Sequence, residues 1–192
     1  MKIENFAVPI TSALNGKLLG VELETRVEIN GCRMIVGSSS REAAHIREHI
    51  HTQQIREVRR MGNWFSNNNL FCVISTETDT QATELPFLKY LTTTTDCSKG
   101  GVWLDGVGAY TSSTIPLVAG VVEVARLDRT FTKEHIDRDI FPIILKNLGQ
   151  YCDKLIVPIK NRQHLSILRD AGVWAVQGEY RPVSFNSLQM LI

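Results

Sequence analysis

Along this chain the spacing of apolar residues switches between a period of two and one near four, and the switches predict most of the elements. Phe6 to Ile10 and Lys17 to Val27 read as two strands, and the Asn15-Gly16 dipeptide between them favours a tight hairpin. Asn30 to Ser40 is turn-rich and predicts a loop that closes on serines able to cap a helix. From Arg41 to Phe65 the residues Ala44, Ile46, Ile50, Ile55, Val58 and Met61 recur at helical spacing, with an interruption expected near Thr52. Leu70 to Thr76 and Phe87 to Thr95 are strand candidates, the second entered through Pro86 and closed by a β-branched threonine run.

Strands and helices alternate more regularly in the second half. Val102 to Asp105 and Val121 to Asp128 read as strands around a helix-length segment. Thr132 to Cys152 predicts an amphipathic helix kinked at Pro142. A strand at Leu155 to Ile159, a helix at Arg162 to Ala171, a strand at Trp174 to Gln177 and a helical turn at Ser187 to Ile192 follow. This order argues for parallel βαβ units in one α/β domain over residues 1–192.

Composition narrows the functions. With 21 basic and 20 acidic residues the net charge is +1, so no basic field draws the chain to nucleic acid or an anionic membrane. No apolar run approaches a membrane span, and the first ten residues lack a signal-peptide core. Cys32, Cys72, Cys97 and Cys152 are scattered without a paired spacing, which suits reduced thiols in the cytoplasm and suggests no metal site. His45 and His49 are four apart on the long helix but have no third ligand in register. Arg56, Arg59 and Arg60 read as a solvated or protein-contact face, and Trp64 with Phe65 reads as core.

Two segments carry the candidate chemistry: LDGVG, which places Asp105 at a strand end, and RLDRTF, which places Arg126 and Asp128 at the next. Acidic strand ends are where an α/β barrel locates its active site. With GVELETR at Gly20 to Arg26 and LRDAGVWAVQG ending in Gln177-Gly178, these segments resemble, in order and spacing, the EAL family of cyclic di-GMP phosphodiesterases. The resemblance implies a shortened, degenerate (β/α) TIM-like barrel of the EAL type.

It also implies a site. Active members hold two divalent cations among carboxylates and one asparagine, with a glutamate activating water. Here Glu22 and Asp105 stand at ligand positions and Arg26 and Gln177 at motif positions. Gly106 replaces the second aspartate, and Arg126 replaces the motif lysine. The asparagine aligns with Ile74, a strand-end carboxylate with Thr94 and the glutamate with Val157. Ile and Val offer a hard cation no lone pair, and Val157 takes no proton. Glu22, Arg26, Asp105, Arg126, Asp128 and Gln177 are therefore a vestigial metal and nucleotide site. Glu22 belongs cleanly to neither strand face, and Asp105 and Asp128 also fit ordinary turn capping. Arg126 either meets a phosphate or pairs with Asp105 or Glu22; the pairing is favoured because a vacated metal site leaves carboxylates that need a cation.

The expectation is thus no catalysis and no cofactor. Only some twenty residues separate Ile74 from Thr94, too few for a strand, a crossover helix and a return. The barrel wall between Leu70 and Leu91 should be bare and should bind a protein, with Phe71, Phe87 and Tyr90 as anchors. The resemblance further implies a partner among transcription regulators of motility or surface adhesion, such as the flagellar regulator FlhDC. A cyclic di-GMP effector that binds without hydrolysis and a weak phosphodiesterase are the alternatives.

Overall fold

Asn15-Gly16 turns the chain as its residue types require: Gly16 takes φ +71°, and Ser12 N–H donates to the Lys17 carbonyl at 2.8 Å. The hairpin joins β1 (Lys2–Ser12) to β2 (Leu18–Ile29). The structure is a computed structural model that describes residues 2–29, 31–35, 44–75, 87–91, 102–109, 114–120, 122, 124–178 and 182–192. Further strands are β3 (Cys32–Ile35), β4 (Phe71–Ser75), β5 (Phe87–Leu91), β6 (Val102–Val107), β7 (Val124–Leu127), β8 (Lys154–Ile159), β9 (Ala175–Gly178) and β10 (Val183–Ser184). Helices are α1 (Ala44–Arg60), α2 (Gly62–Asn67), α3 (Ile115–Val118), α4 (Arg129–His135), α5 (Phe141–Gly149) and α6 (Leu165–Asp170).

The sheet order is β10-β1-β9-β8-β7-β6-β5-β4-β2-β3, and β1 also pairs with β2. That second pairing closes β1, β2 and β4 through β9 into a ring of eight, with β3 and β10 attached outside it. β2, β4, β6, β7, β8 and β9 run one way and β1 and β5 the other. The reversal of β5 explains how a short connection from β4 suffices, because antiparallel neighbours need no crossover.

Alternation along the strands builds two faces. Ile10, Phe71, Val73, Trp103, Val124, Ile156 and Ala175 fill the barrel interior, all from strands. The opposite face packs under helices: Val21, Leu23, Cys72 and Ile74 against Val58 and Phe65, and Leu104, Ala125, Leu155 and Val157 against Phe141, Leu145 and Leu168. Gly20 lets the interior close, since a Cβ there would lie 2.3 Å from the Phe71 ring.

Several expectations need correction. Residues 32–35 form a strand on the β2 edge where a loop was expected. α1 runs unbroken through Thr52 and stops at Met61. Pro142 begins α5 rather than kinking one long helix, because proline's missing N–H costs nothing in a first turn. α3 is a single turn, and β10 precedes a 3-10 segment at Phe185–Leu191. Thr76, Pro86 and residues 92–95 lie outside the described residues.

Candidate functional site

The strand pattern aims four polar side chains at one point above the interior layer. On β2, Val21, Leu23, Thr25 and Val27 are buried while Glu22, Glu24, Arg26 and Glu28 between them are half-buried. Glu22 therefore alternates cleanly, contrary to the sequence reading. Arg126 lies two residues after Val124 and Gln177 two after Ala175, so both inherit the inward direction of those core residues. Asp105 follows Trp103 in the same way. A register shift after Leu104 marks a bulge, and Gly106 absorbs it at φ +71°, a conformation that glycine takes without strain.

Arg126 stands at the centre. Its Nε donates to Asp105 Oδ1 at 2.6 Å and its Nη2 to Asp105 Oδ2 at 2.8 Å, a side-on fork. Nη1 donates to Glu22 Oε2 at 2.6 Å and Nη2 to Glu22 Oε1 at 3.2 Å. The remaining Nη1 hydrogen goes to Gln177 Oε1 at 2.8 Å, and Gln177 Nε2 donates to Glu22 Oε2 at 2.6 Å. A guanidinium has five N–H donors, and here all five are bonded. Side-chain exposure is 9% for Arg126, 14% for Glu22 and 27% for Asp105, so the cluster opens to solvent on the Asp105 side.

The electrostatics follow. Burial alone would push Glu22 up, but the charge of Arg126, its hydrogen bonds and that of Gln177, and the more distant charge of Arg129 hold its carboxyl below the ordinary 4.5. Burial disfavours charge on Arg126 as well, yet Glu22 and Asp105 outweigh it and keep the guanidinium protonated. The thiol of Cys72, on the helix-facing side of β4, is pushed up by burial and by the charge of Glu22.

The other two members of the expected site have separate partners. Asp128 caps α4, its carboxylate accepting from Phe131 N–H at 2.8 Å. Arg26 donates through Nε to Glu24 at 2.7 Å and lies over the Phe6 ring, 4.4 Å from its centroid. Two expected ligand positions also shift by one residue. Ile74 and Val157 face the helices, and the inward residues are Val73 on β4 and Ile156 on β8, with Pro158 next in line. None of these carries a ligand atom or titrates, so the chemical consequence is unchanged. Thr94 lies outside the described residues.

The described residues therefore do not fit a pair of divalent cations. Glu22 and Asp105 are both held by a permanent cation, and each adjacent inward position named above is apolar. Among the described residues, no group of three or more His, Cys, Asp or Glu side chains is placed to hold a metal ion.

Of the expected protein anchors, Phe71 is corrected. It is 8% exposed and packs in the barrel interior, edge-on to Trp103 and stacked on Trp174. An apolar residue after the Asn-rich turn looks the same in sequence whether it faces in or out. Phe87 and Tyr90 belong to β5, and their side chains lie outside the described residues. His49 bonds Gln53, and Arg60 bonds Glu57 and Asn186. A second concavity, of about 470 Å³, lies between β1, α1 and the C-terminal segment. Sequence reasoning missed it, although Pro9 within a strand is a signal of a ladder edge.

Ring closure and strand polarity define an α/β barrel. Comparison with solved structures shows that its fold is that of EAL-type domains. An EAL-like domain protein, YdiV, superposes with a TM-score of 0.74 at 18% identity over 99% of this chain and 96% of that one. The EAL enzyme Bd1971, solved with cAMP and cyclic di-GMP bound, matches at TM-score 0.74 and 13% identity over 100% of this chain and 65% of its own. The PaMucR phosphodiesterase in complex with cyclic di-GMP matches at TM-score 0.63 and 16% identity over 97% and 94%. No protein-family model and no curated protein matches the sequence.

Proposed function

We propose that this chain is a non-hydrolytic EAL-type regulator that acts by binding another protein. One observation carries the reading: the Arg126 guanidinium sits between Glu22 and Asp105 with every donor used. A permanent cation there neutralises the carboxylates that would ligate metal, and none of the inward neighbours Val73, Ile156 and Pro158 supplies a general base. Loss of a base alone typically costs about 10²–10⁴-fold in rate. With hydrolysis gone, a maintained barrel is best explained by its surface. The partner class is a transcription regulator of motility or surface adhesion, with FlhDC as the first to test, and the cytoplasm is where such a partner works. Phe87, whose register partner Leu104 lies on the helix-facing side, is its proposed anchor on β5; Tyr90 pairs with inward Val73 and so falls on the opposite face of the strand. Among the described residues no helix is long and apolar enough to cross a membrane.

A second reading, binding cyclic di-GMP without cleavage, draws on the cyclic di-GMP complexes of Bd1971 and PaMucR. The saturation of Arg126 weighs against it, because a phosphate would have to displace a carboxylate to reach a donor. The protein with cyclic di-GMP and Mg²⁺ or Mn²⁺ should release no linear pGpG above a no-enzyme control. Titration should show binding weaker than about 10 μM, and the protein should co-elute with FlhDC on gel filtration. Metal-dependent pGpG abolished by Glu22→Ala would overturn the reading. Sub-micromolar nucleotide binding lost on Arg26→Ala would move the protein to the effector class.

A further inference from the structure

The edge of β1 is half used. Among the described residues β10 covers it only at Phe6 and Ala7, and β9 only at Thr11 and Ser12. From Lys2 to Asn5 the strand is paired with β2 alone among the described residues. The backbone direction can be followed residue by residue. Ser12 turns its N–H toward Lys17 in the hairpin, while Ala13 donates to Trp174 on the opposite side. The register shift after Ile10 places the extra residue on β2, so β1 keeps strict alternation. Ile3, Asn5 and Ala7 therefore direct N–H and C=O away from β2. Pro9, which has no N–H to give, falls on that same side, as a proline beside an incomplete ladder should.

Ile3 and Asn5 open onto the cleft of about 470 Å³, which is also lined by Glu4 of β1, by Gln53, Arg56 and Glu57 of α1 and by the turn at Phe185 and Asn186; Glu4 is ion-paired with Lys2 at 2.9 Å. Asn5 is held in place by its side chain, which accepts from Thr25 at 2.7 Å, and Thr25 accepts from buried Gln54 at 2.7 Å. Glu57, next to Arg56, is already bonded to Arg60. Arg56 is an exposed cation on the wall, without a hydrogen bond or ion pair among the described residues. The C-terminal segment leaves β1 at Phe185 by entering a 3-10 turn, so the line of β10 ends where the cleft begins.

We propose that this cleft takes an extended peptide strand from the partner protein, antiparallel to β1 in the line of β10, with an acidic side chain against Arg56. The proposal rests on the protein-binding reading and locates one surface of it. Four residues from Lys2 to Asn5 span about 13 Å, and strand addition draws affinity from main-chain bonds and specificity from alternate side chains. A strand edge with two outward N–H and C=O pairs and a walled cleft beside it satisfies both needs. An acidic residue is the complement of Arg56, the wall cation that has no partner among the described residues.

The test uses the full chain and three hexapeptides: Thr-Val-Glu-Val-Thr-Val, the same with Lys for Glu, and the Glu peptide N-methylated on alternate amides. In ¹⁵N spectra the Glu peptide should shift the Ile3 and Asn5 amides and protect them from exchange. Arg56→Glu should weaken the Glu peptide about tenfold or more and reverse the preference toward the Lys peptide. The N-methylated peptide should fail. No shift at Ile3 and Asn5 by either unmodified peptide at about 1 mM, or equal binding by the N-methylated one, overturns the proposal. Ile3→Pro removes an edge N–H while leaving the β1–β2 ladder, with circular dichroism as the fold check. Partner retained by folded Ile3→Pro and by Arg56→Glu but lost by folded Phe87→Asp overturns this inference and leaves the protein-binding reading standing. Partner absent with wild type fails that reading itself.

Discussion

Arg126→Met removes the guanidinium and keeps most of the side-chain volume, and its consequences can be worked from the site. Arg126 is 9% exposed and the Glu22 side chain 14%, so the variant leaves a largely buried carboxylate beside Asp105 with no cation. Breaking a buried ion pair by removing one partner costs about 3–5 kcal/mol. With a urea slope of about 2 kcal/mol per M, the midpoint should fall by about 1.5–2.5 M near neutral pH. The pH dependence gives the sharper test. In the wild type Glu22 is held below its ordinary 4.5, so its contribution is fully present above that value and is lost as pH falls through the lower folded value. In Arg126→Met burial, the largest influence on Glu22, outweighs the remaining Gln177 hydrogen bond and the distant Arg129 charge, so the carboxyl is pushed up instead and acidification relieves the variant by protonating it. The stability gap should therefore narrow as pH is lowered toward about 4. Glu22→Gln with Asp105→Asn on the Arg126→Met background should recover most of the loss, because a neutral cluster no longer strands a charge. Urea titrations across pH decide it. A gap below about 1 kcal/mol near neutral pH, or one that does not change with pH, would refute the reasoning.

Two further outcomes follow from local geometry. Gly20→Ala would place a Cβ 2.3 Å from the Phe71 ring and 2.5 Å from its carbonyl oxygen. The expected loss is about 1–3 kcal/mol, or roughly 3–10 °C in Tm, and an unchanged melting curve would contradict the close packing inferred for the interior. Asp128→Ala should cost about 1 kcal/mol by removing the α4 cap, while Asp128→Asn should retain most of it. If chemical denaturation shows Asn as damaging as Ala, the carboxylate charge does more than cap.

The strand segments of the second half and the hairpin at Asn15-Gly16 were legible in the chain, since local residue types and apolar periodicity decide them. So were four of the polar residues that meet: Glu22, Asp105, Arg126 and Gln177 are marked by motif positions far apart in sequence. Other features depended on distant neighbours. Whether Ile74 or Val73 faces inward turns on register, and a slip of one residue moves every side chain to the opposite face. Phe71 looked like an exposed anchor because only ring closure, through β1 pairing with β2, puts it against Trp103 and Trp174. Asp128 shares a motif with Arg126, but the start of α4 one residue later turns its carboxylate to a cap. The saturation of Arg126 was likewise beyond sequence, because counting donors requires four strands in place. Sequence decides which groups are available to pair; strand register and barrel closure decide which of them meet.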